Sequence, residues 1–252
     1  MKLFLKIKYN GTAYAGYQVQ NNAPTIQSEL NKATMDLFGV KCDITGCSRT
    51  DAGVHARCFC ATVQEHSCDD LNTNIPAERI PQALNVRLPE DIAVYHASFV
   101  PSEFHARYSV KSKTYEYRIL NSPYKDPFEV NKSYHFPKYI DDGALESMRL
   151  AAHNLCGKHD FTSFMAAGSK ITDAVRTVHA CDVVRDGDVI SVRISADGFL
   201  YNMIRIICGT LVEVAKGNIE PNDIVKIISA RDRKLAGSTL PADGLYLVDV
   251  EY

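Results

Sequence analysis

Gly46-Cys47-Ser48-Arg49-Thr50-Asp51-Ala52-Gly53-Val54-His55-Ala56 sets an acid, a guanidinium and an imidazole between two glycines. The apolar run around Ile44 enters this segment, and the alternating Phe59, Ala61 and Val63 leave it, so the spacing predicts a polar loop between two strands. Gly53 can take a positive φ and Asp51 can bond nearby amides, which an ordinary charged turn would also need. Loops held by a rigid sheet are equally where chemistry collects, and the residues alone leave both readings open.

Working outward, Leu3, Leu5, Ile7 and Tyr9 alternate as a strand that breaks at Asn10-Gly11. Pro24-Thr25 signals a helix start, with Ile26, Leu30, Ala33 and Leu37 at helical spacing before Gly39. A short helix is expected after Pro76, then strands near Ile92 to Phe99 and Lys113 to Leu120. Pro123, Pro127 and Pro137 mark a crossover. Beyond it, Leu145, Met148, Ala152 and Leu155 line a helix that Gly157 could cap, and Val178 to Val184 pairs with Val189 to Ile194 through Asp186-Gly187. A helix from about Leu200 to Ala215, a third opened by Pro221, and a strand from Leu245 close the chain. Helices interleaved with hairpins predict an α+β fold rather than a parallel βαβ series.

With 252 residues, 46% of them hydrophobic, the chain can bury a substantial core. The opening residues lack the apolar core of a signal peptide, and no run approaches about 18 apolar residues, so a cytoplasmic protein without membrane contact is expected. The eight cysteines show no Cys-x-x-Cys pairing, which favours reduced, mostly buried thiols over a zinc site. His55, Cys58 and Cys60 form the one cluster of ligand chemistry, and no metal is expected there. A net charge of −2 gives no global basic field. Locally, Arg107, Lys111, Lys113 and Arg118 face Glu116 alone, with Tyr108, Tyr115 and Tyr117 interleaved, a mixture suited to phosphates and stacked bases.

Arg205 stands among Leu200, Met203, Ile204, Ile206, Ile207, Leu211 and Val212 in a strongly apolar helix. Its neighbours three and four residues away are Tyr201, Asn202, Cys208 and Gly209, a polar or small stripe. A guanidinium there is expensive unless a carboxylate meets it or its stem snorkels to solvent.

Arg49-Thr50-Asp51-Ala52-Gly53-Val54-His55 closely resembles the catalytic loop of the tRNA pseudouridine synthase A family. Further blocks look like that family's in order: Tyr9-Asn10-Gly11-Thr12-Ala13-Tyr14-Ala15-Gly16-Tyr17-Gln18, Phe104-His105-Ala106-Arg107, Lys113-Thr114-Tyr115-Glu116-Tyr117, Asp160-Phe161-Thr162-Ser163-Phe164, Gly198-Phe199-Leu200-Tyr201-Asn202-Met203-Ile204-Arg205 and Gly244-Leu245-Tyr246-Leu247-Val248. Asn10, Tyr17 and Ser48 depart from the family's usual Asp, Trp and Gly.

The resemblance implies two similar α/β lobes around a mixed, mainly antiparallel sheet, with flanking helices and a central cleft. The lobes would be residues 1–105, with the catalytic loop, and 106–252, including a crossover at 121–140. It further implies a cofactor-free isomerase, working as a homodimer, that converts uridine to pseudouridine in the 3′ half of the tRNA anticodon stem-loop. In that reading Asp51 is the nucleophile and Arg205 its ion-pair partner. Tyr115 and Leu245 hold the flipped base from either side. Arg49 keeps the vacated place in the RNA, and Arg107 belongs to the substrate-binding surface. His55 orders the loop without taking a proton. Ser48, Asp51 and His55 crowd one loop without a nucleophile elbow, which argues against a hydrolase triad. The rival readings are an RNA-binding or RNA-folding paralogue without catalysis, and a synthase for another RNA.

Overall fold

Alternation decides the first strand, β1 (Lys2–Tyr9), whose Leu3, Leu5 and Ile7 are wholly buried. The computed structural model describes residues 1–168 and 171–252. After β1 comes α1 (Ile26–Phe38), started by a reciprocal Thr25–Ser28 capping box and ended at Gly39 with φ 70°. Strands β2 (Cys42–Gly46) and β3 (His55–Glu65) follow, then α2 (Ile80–Asn85) and β4 (Ile92–Val100).

The chain divides into two units, residues 1–111 with 246–252, and residues 112–245. In the first unit β1 lies between β3 and β4, antiparallel to both, and β2 pairs antiparallel with β3. The register sets Leu3 opposite Val63 and Ile7 opposite Phe59, so one sheet face is continuously apolar. Helix α1 packs on β2, and α2 packs on β4. Ile26, Leu30, Ile80 and Leu84 add to a core in which each large apolar side chain is worth about 1.5–3 kcal/mol.

The second unit opens with β5 (Ser112–Leu120), which pairs in parallel with the short β6 (Tyr134–His135). Then come α3 (Asp142–His153), β7 (Gly157–Asp160), β8 (Val175–Asp186) and β9 (Val189–Ala196). Strand β9 lies between β5 and β8, antiparallel to both, and β7 extends the antiparallel order on β8. Helices α4 (Met203–Ala215) and α5 (Asp223–Ala230) follow, and α3 packs on α4 and β8. Both units thus carry helices on mainly antiparallel strands, and the α+β class holds.

The last strand, β10 (Leu245–Glu251), pairs in parallel with β3, Tyr246 opposite His55. This pairing draws residues 246–252 into the first unit, and the division in mid-chain falls after Lys111. The sequence placed that boundary at 105/106 and the last strand in the second lobe. Two local expectations also differ. Gly157, with φ 110°, begins β7 instead of capping α3, which ends at His153 with Asn154 as its cap. The β8–β9 turn holds Gly187-Asp188 at its centre, because Asp186 still pairs with Val189.

Candidate active site

Glycine placement shapes the loop between β2 and β3. At its entry, Cys47 still pairs with β3, its N–H donating to the Cys60 carbonyl at 2.8 Å. The chain then runs against the segment that follows β1. Tyr17 N–H donates to the Thr50 carbonyl at 3.1 Å, and Gly53 N–H donates to the Tyr14 carbonyl at 3.4 Å. Thr50 is buried, its hydroxyl 2.8 Å from the Tyr9 hydroxyl. Asp51, half-buried, sits between these anchored neighbours, and Val54 N–H closes a turn onto its carbonyl at 3.2 Å. A Cβ on Gly11 would stand 2.0 Å from the Val54 carbonyl oxygen. A Cβ on Gly16, at φ +99°, would stand 2.6 Å from the Thr50 carbonyl oxygen, so two glycines of the Tyr9–Gln18 block let backbone touch backbone.

His55 is 2% exposed. Its Nδ1 accepts the Gly11 N–H at 3.1 Å, and its ring stacks on Tyr246 at 4.6 Å. An Nδ1 that accepts carries no proton, so the imidazole is neutral with its hydrogen on Nε2. Through these contacts the ring ties the turn after β1 to the first residue of β3. Asn10 makes the turn an aspartate would make, accepting from Thr12 N–H at 3.1 Å and from the Thr12 hydroxyl at 2.7 Å. Tyr17 stacks on Phe59 at 4.3 Å. Its buried hydroxyl finds no hydrogen-bond partner among the described residues, and burial pushes its pKa up. Cys58 and Cys60 are buried together; a hydrogen bond from Cys60 draws the Cys58 thiol down and pushes its own up. Among the described residues no three His, Cys, Asp or Glu side chains are set to hold a metal ion.

In the second unit, Tyr115 on β5 is buried and meets Phe199 edge to face at 5.2 Å. Its strand neighbour Tyr117 donates its hydroxyl to the Pro241 carbonyl at 2.8 Å. Leu245 is buried. The preceding Gly244 lies so close to β5 that a Cβ would stand 2.6 Å from the Arg118 carbonyl oxygen. Arg205 is half-buried near the start of α4. Its Nε donates to the Leu240 carbonyl and its Nη1 to the Asn202 side-chain oxygen, both at 2.7 Å. The Cys208 and Gly209 side of this helix, which the sequence showed as a small or polar stripe, is buried contact. A Cβ on Gly209 would come 1.9 Å from the Ser238 carbonyl oxygen, and Gly237 N–H donates to Thr210 Oγ1 at 2.9 Å.

The structure therefore places Asp51 and Arg49 on one loop of the first unit, and Tyr115, Arg205 and Leu245 in the second. Arg49 and Arg107 are exposed, and the Arg107 guanidinium lies 5.8 Å from the centre of the Tyr108 ring. Arg118, counted in sequence against Glu116 alone, is paired with Glu129 at 2.9 Å, which withdraws its charge from the basic segment. Sequence reasoning missed Asn202 and Leu240. Asn202 carried a signal, an amide three residues before the arginine on a helix; Leu240 acts through its backbone and carried none. A surface cleft lined by Glu116, Arg149, Asp182 and Arg193 contains none of the expected site residues. No helix among the described residues is long and apolar enough to cross a membrane.

A sequence model of the family described as tRNA pseudouridine synthase matches residues 6–109 and 151–252. The chain is 42% identical over 252 residues to tRNA pseudouridine synthase A of Ruminiclostridium cellulolyticum, covering 100% of this chain and 99% of that protein. It is 43% identical over 248 residues to the protein of the same description from Acetivibrio thermocellus, covering 98% of each.

Proposed function

Because the chain belongs to the tRNA pseudouridine synthase family and isomerises uridine to pseudouridine in tRNA, we propose that Asp51, paired with Arg205, carries the reaction on uridines in the 3′ half of the anticodon stem-loop. The conversion breaks the N1–C1′ bond, forms C5–C1′, and exchanges a hydrogen on C5 for one on N1. Product and substrate are isomers, so the reaction needs no oxidant, reductant or group donor.

An ionised carboxylate serves this chemistry as a nucleophile, and a guanidinium beside it favours the ionised form. The observation that carries the reading is the clamped loop: Asp51 sits half-buried between Thr50 and Gly53, each tied to the Tyr14–Tyr17 segment. Arg205 is the cation that the resemblance assigns to it. A carbonyl and an amide oxygen, both neutral, accept hydrogen bonds from its guanidinium and orient it. A target base must leave its stack to reach a half-buried carboxylate. Tyr115 supplies a flat face for it and Leu245 an apolar one. Arg49 and Arg107 meet the phosphates and the vacated position in this reading, which their exposure supports.

The enzyme acts as a homodimer in the cytoplasm. What supports this is the resemblance of its sequence blocks, and sedimentation at micromolar concentration tests it. The substrate site is tested by mapping pseudouridine in bulk tRNA from cells with and without the gene. Loss of the modification confined to the 3′ side of the anticodon arm is the expected result; an unchanged anticodon arm with loss elsewhere overturns it.

A further inference from the structure

Asn202 is the residue before the first turn of α4, and its backbone sits at φ 58°, ψ 10°, in the left-handed region. Residues with a Cβ take that conformation at a cost, and asparagine takes it more readily than most because its short amide bonds locally. Asn202 has the position of a helix cap but does not cap with its side chain. Its carbonyl accepts the Ile206 N–H at 3.0 Å, while its side-chain oxygen turns to Arg205 Nη1 at 2.7 Å. A cap residue that leaves the helix amides uncapped and meets a guanidinium instead is serving that guanidinium.

The opposite edge of the same cation is held as tightly. Arg205 Nε donates to the Leu240 carbonyl at 2.7 Å, and Leu240 N–H returns to the Arg205 carbonyl at 3.3 Å. Two hydrogen bonds from different nitrogens of one planar group fix its plane and its rotation. The loop that carries Leu240 is held against α4, because Gly237 is pinned to Thr210 and Gly209 lies against Ser238.

We propose that Asn202 is a positioning residue of the reaction: it sets the guanidinium plane of Arg205, and through it the orientation of the catalytic carboxylate. This rests on the Asp51–Arg205 reading above. Asn202 itself touches neither the base nor the sugar.

Asn202→Gly separates this role from a structural one, since glycine adopts a φ of 58° without strain and keeps the backbone acceptor for Ile206. The variant should unfold at the same or higher denaturant concentration and bind tRNA with a Kd within about twofold of the parent, while kcat falls about tenfold or more, the scale of a hydrogen bond to a charged group. In an Arg205→Met background the same substitution should add little further loss. A normal kcat for Asn202→Gly while Arg205→Met is crippled overturns the positioning role alone. Equal losses in affinity and kcat, or losses that multiply in the double variant, also overturn it. Full activity of Arg205→Met instead removes the Asp51–Arg205 reading, and the positioning role with it.

Discussion

The backbone N–H of Gly11 donates to Nδ1 of His55 at 3.1 Å, tying the turn after β1 to the first residue of β3. The contact spans the two ends of the clamp around Asp51, and it holds only while the imidazole is neutral at Nδ1. His55→Ala leaves a buried N–H without its acceptor and removes the stack on Tyr246. A loss of about 1–3 kcal/mol in unfolding free energy is expected from denaturant titration, with slower turnover at saturating tRNA. An unchanged midpoint and unchanged turnover would show that the clamp does not depend on this residue.

Gly11 contributes more than its N–H. A Cβ there would lie 2.0 Å from the Val54 carbonyl oxygen, closer than any relaxation of a side chain can relieve, because the obstacle is backbone. Gly11→Ala should destabilise by about 1–3 kcal/mol or more and lower activity. Gly143→Ala is the control, since its Cβ would meet only the Asp141 side chain at 3.5 Å in the first turn of α3, and alanine favours helix. Equal thermal stability of the two variants contradicts the close-approach account.

Tyr17 makes the opposite prediction. Its ring is held against Phe59, but its buried hydroxyl has no partner among the described residues. Tyr17→Phe keeps the stack and removes an uncompensated desolvation cost, so stability should rise by about 1 kcal/mol. Destabilisation by that amount would mean the hydroxyl is in fact bonded.

Much of this was legible in the sequence, for physical reasons that differ by element. Thr25, Gly39 and the apolar spacing between them are local signals, and α1 formed within them. The loop between β2 and β3 announced itself because unlike chemistry is rare at such density between alternating strands. What was not legible depends on distant chain. The return of Tyr246 to the side of His55 is a parallel pairing across most of the sequence, and no local pattern encodes it. Arg118 looked like part of a basic surface until Glu129, beyond the strand end, took its charge. Gly209 read as part of a polar stripe, whereas its missing Cβ admits the Ser238 backbone. Leu240 acts through a carbonyl that every residue possesses.

Binding of tRNA should weaken as salt rises, despite a net charge of −2, because exposed Arg49 and Arg107 can release counterions from phosphates. Filter binding across a salt series should give a linear log–log fall, and Arg107→Ala should reduce its slope by about 0.7–0.9. A flat response for the parent protein contradicts a phosphate-binding surface.

The central claim is that Asp51 carries the isomerisation, and release of tritium from tRNA labelled at uridine C5 tests it most directly, since the new C5–C1′ bond expels that hydrogen. Asp51→Asn preserves size at a half-buried position, so the variant should fold and bind tRNA as the parent does. Its tritium release should fall by several powers of ten, each worth about 1.4 kcal/mol of transition-state stabilisation. Release by Asp51→Asn within about tenfold of the parent, at equal tRNA occupancy, would contradict the account.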